Sequence, residues 1–386
     1  MKIVHMCLGC FYIDNYSYQE NLLPKYHKKM GYDVSIIASL LSFDENGETC
    51  ILEKKPTYLN EHHIPVTRLD YDFPIKKIGK FFRKFKGTSE TLEKIKPDII
   101  FIHGSQFFDM INIVKYIKKN PEVKVFYDNH ADFSNSARNW FSKFIMHKFL
   151  WKFTAKIIEP YTTRIYGVLP ARVDFLIDVY DVPKEKIEFL PMGADDDEIN
   201  FENRYLTRSK IRKELEISPD EFVILIGGKI DYAKTQILDF LRLADKLPKN
   251  IKILTFGSIS KDLREEFNEV CKNEKIIYVG WLDSKKIYEY FHVSDLGVFP
   301  GRHSVIWEQA VGSGLPCVFK YWEGTTHVDL GGNCEFLYTD TNEEMIKVIS
   351  NIIISNKKYN EMKSQSEKLG IPYFSYQKIS EKSIRF

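Results

Sequence analysis

No stretch of this chain is apolar for long enough to cross a bilayer, and residues 1–8 are too short and too soon interrupted to form the apolar centre of a secretory signal. A cytoplasmic protein is expected, with no more than peripheral contact at the inner face of the membrane. An excess of one charge sign is also missing. The 386 residues carry 55 Lys and Arg against 53 Asp and Glu, a net charge of +2, where a nucleic-acid partner demands a plain basic surplus. Cysteine is sparse: six residues are scattered, and only Cys7 and Cys10 stand close together. With no second pair to complete a zinc site and no helix start to activate a thiol, that pair reads as small apolar packing. No G-x-G-x-x-G follows an early strand, so a dehydrogenase is not expected. Internal repeats and low-complexity segments are absent as well.

What the chain does have is alternation. Short apolar runs bounded by turn residues predict strands at 2–6, 34–38, 99–103, 123–127, 156–159 and 188–190, and a second series at 222–226, 252–256, 276–279, 296–299, 317–320 and 336–338. Amphipathic helical stretches separate them, the pattern of parallel sheets covered by helices. A chain of this length exceeds what one core usually supports. The expected class is therefore α/β, with two doubly wound Rossmann-like domains. The boundary follows Phe189-Leu-Pro-Met-Gly-Ala-Asp195, giving an N-terminal domain 1–195, a C-terminal domain 196–370 and a short amphipathic tail 371–386.

Two segments of the second series carry polar groups in a telling pattern. The run at 222–226 ends in Gly227 and Gly228, and Lys229 and Lys234 follow five residues apart. Lysines beside a helix start oppose the helix dipole unless an anion is bound, and a glycine turn lets backbone approach one, so the pair suits a diphosphate. The run at 296–299 passes through a Pro-Gly turn into a helix with Glu308 near its start, where a carboxylate suits ribose hydroxyls. Between them Gly257 and Ser258 offer backbone N–H groups at the end of another strand, and Gly301, Arg302, His303, Ser304 and Val305 would cradle a sugar. Together these describe a sugar-nucleotide site.

At these residues the chain resembles the GT-B superfamily of retaining glycosyltransferases. The family's C-terminal domain opens with a strand, a Gly-Arg pair and a lysine five residues on, and later carries two glutamates eight apart before an Ala-x-x-x-Gly-x-Pro run. Here Lys229 stands at the arginine position, Lys234 at the lysine and Glu308 at the second glutamate, ahead of Ala310, Gly314 and Pro316. Pro300 occupies the place of the first glutamate, with Arg302, His303 and Ser304 as substitutes. The segment from Val279 and Gly280 to Leu282 is similar to the family's base-binding segment. The resemblance implies two domains facing each other across a cleft, an acceptor-side N-terminal domain, a C-terminal nucleotide-sugar domain, and a tail helix crossing back to the N-terminal domain. It also implies a nucleoside diphosphate sugar, UDP- or GDP-linked, as substrate, with no cofactor and no metal. Lys229 and Lys234 would then neutralise the leaving diphosphate.

In the first series, Asp128, His130 and Asp132 follow a strand at the edge where such sheets bind ligands. By position His130 matches a histidine that in the family faces the reacting sugar, with His103 as the second candidate. The loop 9–16 replaces the family's glycine-rich loop and holds a single glycine, so acceptor recognition through Phe11 and Asp14 is expected of it. Basic and aromatic residues mix at 75–86 and 138–152, as a surface meeting anionic lipid headgroups requires. The expectation is transfer of a sugar to a glycan or lipid-linked acceptor in surface polysaccharide synthesis, with the catalytic set His130, Lys229, Lys234 and Glu308. Two other readings stand beside it: a sugar-nucleotide epimerase or hydrolase on the same fold, and a non-catalytic nucleotide-binding scaffold.

Overall fold

The computed structural model describes residues 1–43, 49–53, 57–72, 81–137, 139–232 and 234–385. Residues 75–80 of the first basic-aromatic segment and Arg138 of the second lie outside the described residues. Two compact units are present, one formed by Met1–Pro191 with Ile379–Phe386, the other by Met192–Lys378.

The strands of the first unit are β1 (Lys2–Cys7), β2 (Asp33–Ser39), β3 (Leu41–Phe43), β4 (Thr49–Ile51), β5 (Tyr58–Leu59), β6 (Pro65–Leu69), β7 (Ile99–His103), β8 (Lys124–Asn129), β9 (Arg164–Gly167) and β10 (Ile187–Phe189). Eight of them form one sheet in the order β10-β9-β8-β7-β1-β2-β6-β5, parallel except for the β5–β6 edge, while β3 and β4 make a separate antiparallel pair. The second unit has β11 (Phe222–Gly227), β12 (Ile251–Phe256), β13 (Ile276–Tyr278), β14 (Leu296–Phe299), β15 (Cys317–Lys320) and β16 (Cys334–Leu337), a wholly parallel sheet ordered β13-β12-β11-β14-β15-β16. Both sheets are doubly wound: order reverses beside β1 in the first and beside β11 in the second, which puts the carboxyl ends of β1 and β7, and of β11 and β14, at switch points.

Burial explains why these runs are strands. Ile99–His103 is buried at every position, as a strand covered on both faces must be. Along β11 the side chains alternate between two cores. Val223 and Leu225 join the cluster with Phe256, Trp307 and Phe319, and Ile224 and Ile226 join the one with Leu238, Ile253 and Val298. Each fully buried aliphatic side chain contributes on the order of 1.5–3 kcal/mol, so exposing either face would be costly.

Of the helices α1 (Gln19–Lys29), α2 (Lys152–Ile158), α3 (Ile306–Gly312) and α4 (Tyr376–Ser383), α2 packs on the first core and the others carry polar groups near the two sheet edges. The strand expected at 156–159 is not there, because those residues lie in α2 and a following 3-10 turn, and the strand itself is β9. Ala155 and Ile158 face the core one helical turn apart, and a short apolar run reads alike in either conformation. The strand β6 was not expected, since Pro65, Thr67 and Arg68 dilute its apolar pattern.

The second unit begins at Met192 rather than at 196, because Ala194 is bound into it. Its N–H donates to the Phe374 carbonyl at 2.7 Å, its own carbonyl accepts from Tyr376 N–H at 3.2 Å, and a β-carbon on Gly312 would come within 2.7 Å of the Ala194 methyl. The chain returns to the first unit within α4, from Ile379 onward.

Candidate functional site

In the second unit the predicted residues gather at the carboxyl ends of β11, β12 and β14. Gly227 and Gly257 are required there by close approach. A β-carbon on Gly227 would stand 2.3 Å from the Phe256 carbonyl oxygen, and one on Gly257 would stand 1.8 Å from that of Gly228. Gly257 and Gly228 also have φ of +119° and +123°. Gly257→Ala is therefore expected to destabilise the fold by about 3 kcal/mol or more, read from urea unfolding. Gly331→Ala is the control: its φ is +95° but nothing lies within 4 Å of the added carbon, so only backbone strain, about 1–2 kcal/mol, should appear.

The two lysines are not equivalent. Lys229 is exposed, with Nζ 3.9 Å from Asp231 Oδ2. Lys234 lies inward: its Cγ is 3.3 Å, and its Nζ 3.8 Å, from where β-carbons on Gly301 and Gly228 would stand. Among the described residues its Nζ has no hydrogen-bond partner. Burial lowers its pKa and Lys229 adds to this, with Asp231 opposing. A half-desolvated ammonium beside two glycines is placed for an anion brought close to the backbone.

Glu308, on α3, is fully buried. Its Oε1 accepts from His303 Nε2 at 2.8 Å and from His327 Nε2 at 2.9 Å. Its Oε2 is buried, with no hydrogen-bond partner among the described residues. Burial works against the charge, yet the two imidazoles outweigh it and hold the carboxyl well below the usual range. His303, expected to touch the sugar, instead orients Glu308, and packs edge-on against Trp307 at 5.1 Å. His327 sits on a 3-10 turn beyond β15. The only signal for it in the sequence was the polar richness of the segment 322–329.

Other predicted residues fall around this pair. Arg302 and Ser258 are exposed, Ser304 and Val305 half-buried, and the Gly301 carbonyl accepts from Trp322 Nε1 at 3.4 Å. Val279 is half-buried, and the Gly280 carbonyl receives the Gly257 N–H at 2.8 Å.

In the first unit Asp128 is fully buried at the end of β8. Its Oδ2 accepts from His103 Nδ1 at 2.8 Å and from Gln19 Nε2 at 3.1 Å. His130, beyond the strand, has Nε2 3.2 Å from Asp128 Oδ1, an ion-pair contact without hydrogen-bond alignment. Burial opposes the His130 charge, but Asp128, helped by Glu20, raises its pKa above the ordinary value against the pull of Arg172.

Three residues proposed for the acceptor side are otherwise engaged. Asp132 receives Ser134 N–H, Ser134 Oγ–H and Asn135 N–H on Oδ1 and Arg172 Nε on Oδ2, so it closes its own loop. Asp14 accepts from Tyr58 OH at 2.8 Å, and Phe11 stacks on Phe43 at 4.9 Å. A cavity of about 440 Å³, lined by Arg83, Ser136, His147 and Trp151 among others, lies in this unit and was not foreseen. Arg83 donates to the Gly9 and Gln106 carbonyls there. It is more than fifty positions from Ser136, His147 and Trp151, so the cavity is not local in sequence.

Two trios bring metal-ligand atoms within 4.8 Å of one another, His303 with Glu308 and His327, and His103 with Asp128 and His130. In the first, both ring nitrogens converge on one oxygen, as two hydrogen-bond donors do. In the second, both nitrogens of His103 are already committed, to Asp128 and to His5.

No family model matches the chain. Solved structures do match it along nearly all its length. A glycosyltransferase from Rickettsia africae superposes with a TM-score of 0.71 at 15% identity, covering 99% of this chain and 96% of that one. HepE of Anabaena, solved in complex with UDP, gives a TM-score of 0.70 at 14% identity, covering 99% and 98%. The chain has the GT-B fold. Among sequences, an uncharacterized 41.2 kDa protein in the cps region of Klebsiella pneumoniae is 26% identical over 225 residues, 55% of this chain and 56% of that protein. An uncharacterized glycosyltransferase of Methanocaldococcus jannaschii is 21% identical over 149 residues, 36% of this chain and 37% of that one. The match thus spans about half the length, or less, of these relatives.

Proposed function

We propose that this GT-B protein is a glycosyltransferase that moves a sugar from a nucleoside diphosphate donor, UDP-linked in the first instance, to a hydroxyl of a glycan or lipid-linked acceptor. The observation that carries the reading is the buried Oε2 of Glu308, without a hydrogen-bond partner among the described residues, on the same sheet edge as the half-buried Lys234 ammonium. A desolvated carboxylate oxygen is costly unless something donates to it, and a ribose hydroxyl fits that need. His303 and His327 hold the carboxylate ionised and fixed, so it meets the ribose without reorganising.

In this assignment Lys234 binds the diphosphate, with the backbone of Gly228, Gly257 and Gly301 close by, and offsets the charge that grows on it as the glycosidic bond breaks. Lys229, exposed and tethered only loosely to Asp231, has the freedom to close over the bound anion. His130, held by Asp128, contacts the sugar or the acceptor. With a protein cation set in place, the reaction is proposed to be metal-independent and to retain anomeric configuration. HepE, which binds UDP, supports a uridine donor, and the cps-region relative supports a role in surface polysaccharide synthesis.

The test is calorimetry with UDP, GDP, ADP and CMP sugars, each with and without magnesium, on wild type and Lys234→Ala. Metal-independent binding of one donor, weakened in the variant, is expected. Absence of binding by all of them would remove the donor assignment and favour the scaffold reading.

The protein is further proposed to be cytoplasmic and to touch the inner membrane through the helix around 141–153. Trp140 and Phe149 are 68% and 67% exposed, and Phe153 is exposed beside them in sequence, with Lys143 and Lys148 lying over aromatic rings. Among the described residues no helix is long and apolar enough to cross a membrane. In a flotation assay the protein should rise with phosphatidylglycerol vesicles and not with phosphatidylcholine ones, and Lys143→Glu with Lys148→Glu should abolish the difference. Equal flotation with both lipids would refute the contact.

A further inference from the structure

Behind Asp128 the first unit carries a row of imidazoles that the proposed function does not use. His5 on β1 lies between His103 at the end of β7 and His27 on α1, and these three rings and Asp128 are all fully buried. His5 Nδ1 is 3.0 Å from His103 Nε2, and His5 Nε2 is 3.0 Å from His27 Nδ1. Both ring pairs stack at 5.2 Å between centroids. At one end His103 Nδ1 meets Asp128 Oδ2 at 2.8 Å. At the other, on α4, His27 Nε2 faces the Ser380 carbonyl at 3.1 Å and Ser383 Oγ at 3.0 Å, while Ser383 Oγ donates to that same carbonyl at 2.8 Å.

Counting hydrogens along the row ties its protonation to the Ser383 hydrogen, which the 2.8 Å contact directs to the Ser380 carbonyl. With the Ser383 hydrogen on the carbonyl, both groups facing His27 are acceptors, so His27 carries hydrogen on Nε2. A neutral His27 is then bare at Nδ1 and accepts from His5 Nε2. His5 is in turn bare at Nδ1 and accepts from His103 Nε2. A neutral His103 would have spent its only hydrogen there, and its Nδ1 lone pair would be set against a carboxylate oxygen at 2.8 Å. With the Ser383 hydrogen so placed, the row closes only if His103 carries a second hydrogen.

The surroundings say where that charge rests. Burial, then His27 and His103, hold His5 well below its ordinary pKa, and burial brings His27 down to about 4, so neither takes the charge near neutrality. Phe101 and Tyr32 are the rings flanking these two. Asp128 faces His103, His130 and Gln19. Glu20 acts on His103 and His130 from α1, its carboxyl pushed up by burial, and Arg172 opposes the charge on His130.

We propose that Asp128, His103, His5 and His27 hold one proton in common, set on His103 by the carbonyl of Ser380, and that His103 and the two rings behind it are positioning residues for His130. The cationic His103 pins Asp128 through Oδ2, which leaves Oδ1 directed at His130. Asp128 then divides its charge between two cations, and the charge state of His130 follows from a hydrogen-bond acceptor on α4. None of this depends on the identity of any substrate.

The experiment is nitrogen-detected NMR of the full chain labelled with 15N-histidine. At pH 7, His103 should show hydrogen on both ring nitrogens, and His5 and His27 on Nε2. A single hydrogen on Nδ1 in all three rings, with the Ser383 hydroxyl turned to His27, would overturn the proposal. In His27→Leu the carbonyl can no longer set the row, so His103 should lose its second hydrogen. The His130 titration midpoint should then rise by about one pH unit, since Asp128 faces one cation instead of two. An unchanged midpoint in folded His27→Leu would remove the positioning role. Should His27→Leu not fold, Ser383→Ala serves: it leaves only the carbonyl facing His27 and must keep His103 doubly protonated, and a singly protonated His103 there refutes the proposal.

Discussion

Lys234→Ala should weaken donor binding by roughly 10- to 100-fold, the range of one lost charge-assisted hydrogen bond. Lys229→Ala should weaken it by only a few-fold. The difference follows from placement: Lys234 is half-buried against Gly301 and Gly228, while Lys229 is solvated and its charge screened. Lys234→Arg is the informative partner variant. The guanidinium keeps the charge, but it is larger and planar where the ammonium lies 3.8 Å from the place of a β-carbon on Gly228, so it should not restore affinity. Calorimetric titration with a UDP-sugar reads all three. Equal losses for the two alanine variants would mean that the anion is bound by the general field of the loop and that Lys234 holds no particular position.

The second large effect is at Glu308, where stability and binding should separate. Glu308→Ala leaves His303 and His327 without their shared acceptor in a buried site, and removal of one member of such a set costs about 3–5 kcal/mol. Glu308→Gln keeps an oxygen for the imidazoles at smaller cost in stability, but its uncharged amide should lower kcat/KM for the donor by about 100-fold. The pH dependence has a definite sign. The folded-state carboxyl lies below its ordinary range, so its contribution is complete above the unfolded value of about 4.3 and is lost as pH falls below it. Wild type should therefore lose urea stability on acidification more steeply than Glu308→Gln. Parallel slopes would show that the carboxylate is not paired with the two imidazoles in solution.

Much of this site is local in sequence. Lys234, Gly227 and Gly228 belong to one turn, and His303 and Glu308 to one turn and helix, so spacing alone could mark them. The role of His303 was not legible: five residues from Glu308, it reads as a ligand contact until the folded turn aims its Nε2 at Oε1. His327 lies nineteen residues from Glu308 and a full strand away, and only the parallel β14–β15 pairing returns it to the same carboxylate.

The sequence by itself determined the fold class, because a parallel strand covered on both faces must be a short, nearly continuous apolar run, and such runs recur here between helical stretches. It also determined the glycines, whose backbone geometry excludes other residues. Its error at 156–159 arose where an apolar run had no periodicity to separate helix from strand. The tertiary structure alone decided which polar groups meet. His5, His27, His103, Asp128 and Ser380 are spread over nearly the whole chain, and it is the register of β1 with β7 and of β7 with β8, together with the return of α4, that sets them in one line. Hydrogen bonds act over about 3 Å, and no pattern in a one-dimensional string carries that distance.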